Sequence, residues 1–221
     1  WYDIQFDIES AVLLDGVVSI CDRVFCNCWR LKSVYTPKSV KSIGEKAFAS
    51  CHGLKSISIP DSVEVIGSHA FTGTSLSSIK IPRSVTSFGV NPFLLCNHLE
   101  VIDVSENPNF VFEDEVLMDK ERAQIIYYKP SMLRWYTIPS TVTAICIDAF
   151  GGCNNMISIT IPDSVKEIEE GAFFECIGLI SVRLPNSITV IRDDTFSGCE
   201  ILSSITIPES VRKIGDRAFN Y

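Results

Sequence analysis

One pattern constrains this chain more than any other: Leu54, Ile57, Ile59, Pro60, Val63, Ile66, Gly67, Ala70 and Phe71 recur at the same relative positions as Leu202, Ile205, Ile207, Pro208, Val211, Ile214, Gly215, Ala218 and Phe219. The template's valine or isoleucine returns at Val17, Val40, Val63, Val85, Val142, Val165, Ile188 and Val211, with a spacing of 23 residues, except 22 from Val63 to Val85 and 57 from Val85 to Val142. A fixed period in this range specifies a solenoid, in which coils too small to enclose a core alone bury their apolar faces against their neighbours. The predicted fold class is therefore a repeat solenoid, mainly β with short turns or helical turns. It has about eight coils of 23 residues and one inserted β-hairpin.

Each part of the template has a physical reading. Leu54 to Ile59 alternates at its end and predicts a short strand, with Ile57 and Ile59 pointing inward and Ser56 and Ser58 outward. Pro60 ends it, because proline cannot donate to a ladder and fixes its own φ. Val63 and Ile66 supply the return path, and Gly67 suits an unusual φ or a close backbone approach. Phe25, Phe48, Phe71, Phe93, Phe150, Phe173, Phe196 and Phe219 form one column, eight of the chain's 13 phenylalanines, and so predict a stack of core rings.

The recurring Ile-Pro-x-Ser-Val-x-x-Ile-Gly-x-x-Ala-Phe-x-x-Cys-x-x-Leu resembles the BspA-type leucine-rich repeat of surface and secreted proteins of bacteria and some protists. The resemblance runs from about residue 17 to the end. Cys21 and Cys146 replace the glycine, Ser105 stands where a proline would, and Thr74 occupies the cysteine column. The resemblance implies a location at the cell surface or outside the cell, a binding or adhesion role, and no shared catalytic motif.

The expected organisation is a single solenoid domain over 1–221, with an N-terminal cap at 1–16, a first repeat block at 17–104, an insertion at 105–138 and a second block at 139–221. Trp1, Tyr2, Phe6 and the run Val12, Leu13, Leu14 are apolar enough to cover the first coil. In the insertion, Glu115–Met118 and Ile125–Tyr128 flank a polar run and predict a hairpin, which either projects as a recognition loop or packs on the solenoid as a spacer. The abrupt beginning and end suggest a piece of a longer protein, with the far cap beyond Tyr221.

A net charge of -8 and a pI near 4.9 leave no basic stripe for phosphates, so nucleic acid is not an expected partner. No apolar run reaches the roughly 18 to 20 residues of a transmembrane segment, and no signal peptide is recognisable. Cys28, Cys51, Cys96, Cys153, Cys176 and Cys199 share one column and read as small buried hydrophobes. A disulfide ladder remains open, because stacked coils lie within disulfide range. Zinc is disfavoured, since Cys26 and Cys28 are the only close pair. His52, His69 and His98 have no recurrent partner, and the adjacent Cys51 and His52 do not make a nucleophile and base. No enzymatic activity and no cofactor are expected.

Binding is expected on the outward strand positions. One row is Ser33, Ser56, Ser78, Val101, Trp135, Ser158, Ser181 and Ser204, mostly small and flat. The other is Tyr35, Ser58, Lys80, Asp103, Thr137, Thr160, Arg183 and Thr206, and it is varied. Tyr35, Lys80, Asp103, Trp135 and Arg183 are the candidate ligand-binding residues, because aromatic and arginine side chains dominate interface energetics. Eight strands would form a face roughly 35 to 40 Å long. That length suits a protein or glycan, including a host extracellular matrix protein. A structural spacer of a larger surface protein and an intracellular interaction scaffold are the alternatives.

Overall fold

The computed structural model describes residues 7–220, so Trp1, Tyr2 and Phe6 of the expected cap, and Tyr221, lie outside the described residues. The chain divides into two compact units, Trp1–Phe112 and Glu113–Tyr221. Each is a β-solenoid of coils of about 23 residues, built from short strands and turns, with no α-helix among the described residues.

A typical coil carries two strands. The first has three residues and precedes the proline; the second has two and follows the valine column. In unit 1 the second kind makes one four-stranded parallel sheet from Ser19–Ile20, Ser42–Ile43, Val65–Ile66 and Ser87–Phe88. Its register sets Ile20, Ile43, Ile66 and Phe88 in line. The first kind pairs as Ser10–Val12 with Ser33–Tyr35, and as Ser78–Lys80 with Val101–Asp103. Ser56 and Ser58 are exposed and Ile59 is buried as predicted, but Ile57 is only half-buried and the segment forms no ladder. The expected single face of eight strands is thereby corrected to separate sheets within each unit.

Residues 10–12 of the expected cap form a strand. Ser10, Ala11 and Val12 pair in register with Ser33, Val34 and Tyr35, one period later, so they are the strand of a further coil. Val12 and Leu14 are 68% and 73% exposed, so these two side chains point outward.

In unit 2, Trp135–Thr137, Ser158–Thr160, Ser181–Arg183 and Ser204–Thr206 form a four-stranded parallel sheet. The predicted hairpin is present as Val116–Asp119 against Gln124–Tyr128, antiparallel, with an irregular register between Leu117 and Met118. Its second strand pairs in parallel with Ala144–Ile145, so the hairpin takes the place of a coil. Val116, Leu117, Met118, Ile125 and Tyr128 are buried. The Tyr128 ring stacks on Phe150 at 5.0 Å, continuing the aromatic column. The strands therefore pack as a spacer.

The phenylalanine column is a run of stacked rings in each unit. Centroids are 5.3, 5.6 and 6.0 Å apart from Phe25 through Phe48 and Phe71 to Phe93. They are 5.1, 5.2 and 5.5 Å apart from Phe150 through Phe173 and Phe196 to Phe219. The backbone around each ring makes this possible. Lys46 and Ser50, two residues before and after Phe48, both have left-handed φ. That geometry lets the N–H groups of Lys46, Phe48 and Ser50 donate to Ser68, Ala70 and Thr72 of the next coil, while Ala47, Ala49 and Cys51 donate to carbonyls three residues back. Alternate N–H groups thus tie coil to coil and close the turn.

Serine in the template has a matching role. Ser39, Ser62 and Ser84 donate their hydroxyls to the carbonyls of Val17, Val40 and Val63, one coil earlier. Where the period breaks, the buried Asn107 amide donates to Pro82 and Val85 carbonyls at 2.6 and 3.0 Å, satisfying the coil edge that a serine would otherwise serve.

Candidate functional site

In unit 1 the strand face holds Tyr35, Lys80 and Asp103, but not as one patch. Tyr35 is 61% exposed and stands beside the equally outward Val12, its register partner. Lys80 and Asp103 are register partners on the other pair of strands. The Lys80 ammonium reaches the Glu106 carboxylate at 3.0 Å, which holds its proton more tightly. The Asp103 carboxylate accepts from the Ser105 hydroxyl and N–H at 2.6 and 3.0 Å, which lowers its pKa. Ser105, which replaces a proline of the template, thus closes a small turn at the start of the insertion.

In unit 2 the four-stranded sheet holds Trp135 and Arg183. Trp135 is 69% exposed and opens a row that continues through Ser158, Ser181 and Ser204. The parallel row is Thr137, Thr160, Arg183 and Thr206. The result is a flat hydroxyl surface carrying one large ring, with a guanidinium two strands away. Sequence reasoning missed Met132, 86% exposed, and Leu133, 50% exposed, which directly precede this sheet. It also missed Val12, although counting one period back from Tyr35 reaches it.

Among the described residues, which include all nine cysteines, there is no disulfide. Cys51, Cys96, Cys176 and Cys199 donate their thiols to the carbonyls of Phe25, Phe71, Phe150 and Phe173, one coil earlier, at 3.0 to 3.2 Å. Burial pushes the Cys51, Cys96 and Cys176 thiols up, to about 11 for Cys96, and the hydrogen bond with Cys176, followed by burial, does the same for Cys199. The Cys51 thiol is buried while His52 is exposed, its Nδ1–H donating to the Gly73 carbonyl at 2.8 Å, so the adjacent pair does not form a nucleophile and base. Among the described residues, no three His, Cys, Asp or Glu side chains are grouped so as to hold a metal ion.

The model of the BspA type leucine-rich repeat region matches residues 7–117 and 122–221, in six copies. The chain belongs to the BspA-type leucine-rich repeat family. The match starts at residue 7, in agreement with the coil found at Ser10–Val12. Among solved structures, this BspA-type chain is 30% identical to a leucine-rich cell surface protein of Faecalibacterium prausnitzii, with a TM-score of 0.81, covering 96% of this chain and 64% of that one. It is 28% identical to the pneumococcal vaccine antigen PcpA, again with a TM-score of 0.81, covering 90% of this chain and 50% of that one. A leucine-rich repeat protein of Eubacterium ventriosum, 23% identical with a TM-score of 0.62, shares the fold over 100% of this chain and 84% of that one. The chain thus spans less than two thirds of the first two proteins. A search of curated proteins finds no match.

Proposed function

We propose that this chain is a non-enzymatic binding module that works at the cell surface or outside the cell, presenting its strand faces to a protein or glycan. The observation that carries the reading is the unit 2 sheet: Trp135 stands 69% exposed beside a level row of serines. An exposed tryptophan on a flat, hydroxyl-rich surface is the kind of anchor that dominates interface energetics, while the small residues around it let a partner approach closely. Likeness to a bacterial leucine-rich cell surface protein supports the location.

The test is binding of the purified chain to immobilised extracellular matrix proteins and glycans, beside two variants. One carries Tyr35→Ser and Lys80→Ser, the other Trp135→Ser and Arg183→Ser. Loss of binding in the second variant, with unchanged melting, is the expected result. Binding retained by both variants would remove the strand faces from consideration. No binding by the native chain would favour a spacer role in a larger surface protein.

A further inference from the structure

The 22-residue interval in unit 1 has a specific location. Two residues separate Cys51 from Leu54 and Cys96 from Leu99, but only Ser75 separates Thr74 from Leu76. The other intervals in that coil match the template, so one residue is missing from this turn alone. The shortened turn leaves a notch of about 350 Å³, bounded by Ser50 and His52 of the preceding coil and by Leu95, Asn97 and His98 of the following one. This lies at the small end of the roughly 300 to 1,000 Å³ typical of ligand sites.

The lining is chemically uniform. Hydroxyls come from Ser50, Thr72 and Ser75, an amide from Asn97 and imidazoles from His52 and His98; no Asp, Glu, Lys or Arg lines the notch. The Thr72 hydroxyl is buried with no hydrogen-bond partner in the protein. His52 is held by its Nδ1–H donating to Gly73, which fixes the direction in which Nε2 points. Gly73, at φ +66°, presents no side chain at this wall. A charged ligand entering here would lose hydration without gaining a countercharge. A ring bearing several hydroxyls would find donors and acceptors on both flanks, with Leu95 for its C–H face.

We infer that the notch at the shortened Thr74-to-Leu76 turn is a binding site for a single neutral sugar residue of a glycan. The site lies on the turns that follow the phenylalanine column, not on the strand face, and does not rest on the role proposed for that face.

The test uses arrayed neutral oligosaccharides, with sialylated and sulfated ones beside them, against the native chain and three variants. In one, a glycine inserted between Ser75 and Leu76 restores the common turn length and fills the notch. The second is Asn97→Ala, and the third is Glu209→Gln, an exposed position in unit 2 away from both the notch and the strand face. The expected result is binding to neutral glycans that falls at least tenfold in the first two and is unchanged in the third. NMR titration with the bound sugar should shift the His52 and His98 ring protons but not those of His69, which does not line the notch. Absence of neutral-glycan binding, equal binding by the folded insertion variant and by Asn97→Ala, or preference for the charged glycans would each overturn the inference.

Discussion

The thiol of Cys51 donates to the carbonyl of Phe25, one coil earlier, at 3.0 Å, and Cys176 does the same to Phe150 at 3.1 Å. Four of the six column cysteines, Cys51, Cys96, Cys176 and Cys199, are therefore buried donors that each meet a carbonyl at the aromatic corner. Under native conditions a thiol reagent should label the exposed Cys21 first and leave Cys51, Cys176 and Cys199 unreacted until the chain is denatured. Replacing Cys176 by Ala removes a donor from a buried carbonyl and should lower stability by about 1 to 3 kcal/mol in denaturant melts. Rapid native labelling of Cys176 would contradict this account.

Phe173 is fully buried between the rings of Phe150 and Phe196, at 5.1 and 5.2 Å. Phe173→Ala should cost about 3 to 5 kcal/mol, the usual range for a buried aromatic. A loss below about 1 kcal/mol would show that the column does not carry the stack.

Gly67 lacks a side chain because the previous coil occupies its place. A Cβ there would lie 2.7 Å from the Glu45 nitrogen and 2.7 Å from the Gly44 carbonyl carbon, both backbone atoms. Gly67→Ala should therefore destabilise by about 1 to 3 kcal/mol through overpacking, read as a lowered melting temperature. An unchanged melt would mean that the coils separate at little cost.

Burial, reinforced by Asp194 and Glu170, pushes the Asp148 carboxyl up to about 6. Its folded value exceeds the roughly 3.9 of an unfolded chain, so its contribution to stability is full below about pH 4 and is lost as pH rises through about 6. Asp148→Asn imitates the protonated form. The variant should be the more stable protein at pH 7, by about 1 kcal/mol after allowing for partial solvation, and the gap should close near pH 4. Melts of both proteins across that range would refute the assignment if the gap stayed constant.

The coil length, the inward valines and phenylalanines, and the hairpin were legible because periodic burial writes itself directly into residue type. The left-handed positions were not. Two residues before the phenylalanine they are filled by Arg23, Lys46, His69, Asp148, Asp194 and Arg217, types too mixed to mark one conformation, and coil-to-coil hydrogen bonds hold the first five against a local cost of about 1 to 2 kcal/mol each. Gly67 was read as a candidate for unusual φ, and the close-approach alternative is the one found. Cys146 tolerates a side chain in the glycine column because its N–H meets Ile125 on the hairpin strand, where no coil corner precedes it. Glu169 and Arg192, also in that column, place their charged ends 3.8 Å apart. Of the candidate binding residues, Lys80 and Asp103 are neighbours and Trp135 shares a sheet with Arg183. Which strands would fail to pair, as at Ser56–Ser58, depends on geometry that residue type does not record.

The side-chain donors of the template all reach the same way. Ser39, Ser62 and Ser84 reach back to Val17, Val40 and Val63, as Cys51 and Cys96 reach back to Phe25 and Phe71. Each coil therefore carries the groups that fasten it to the one made before it. A ribosome releases the amino-terminal coils first, so every newly emerged turn meets acceptors already in position, and such a chain is suited to being assembled in the order of its synthesis.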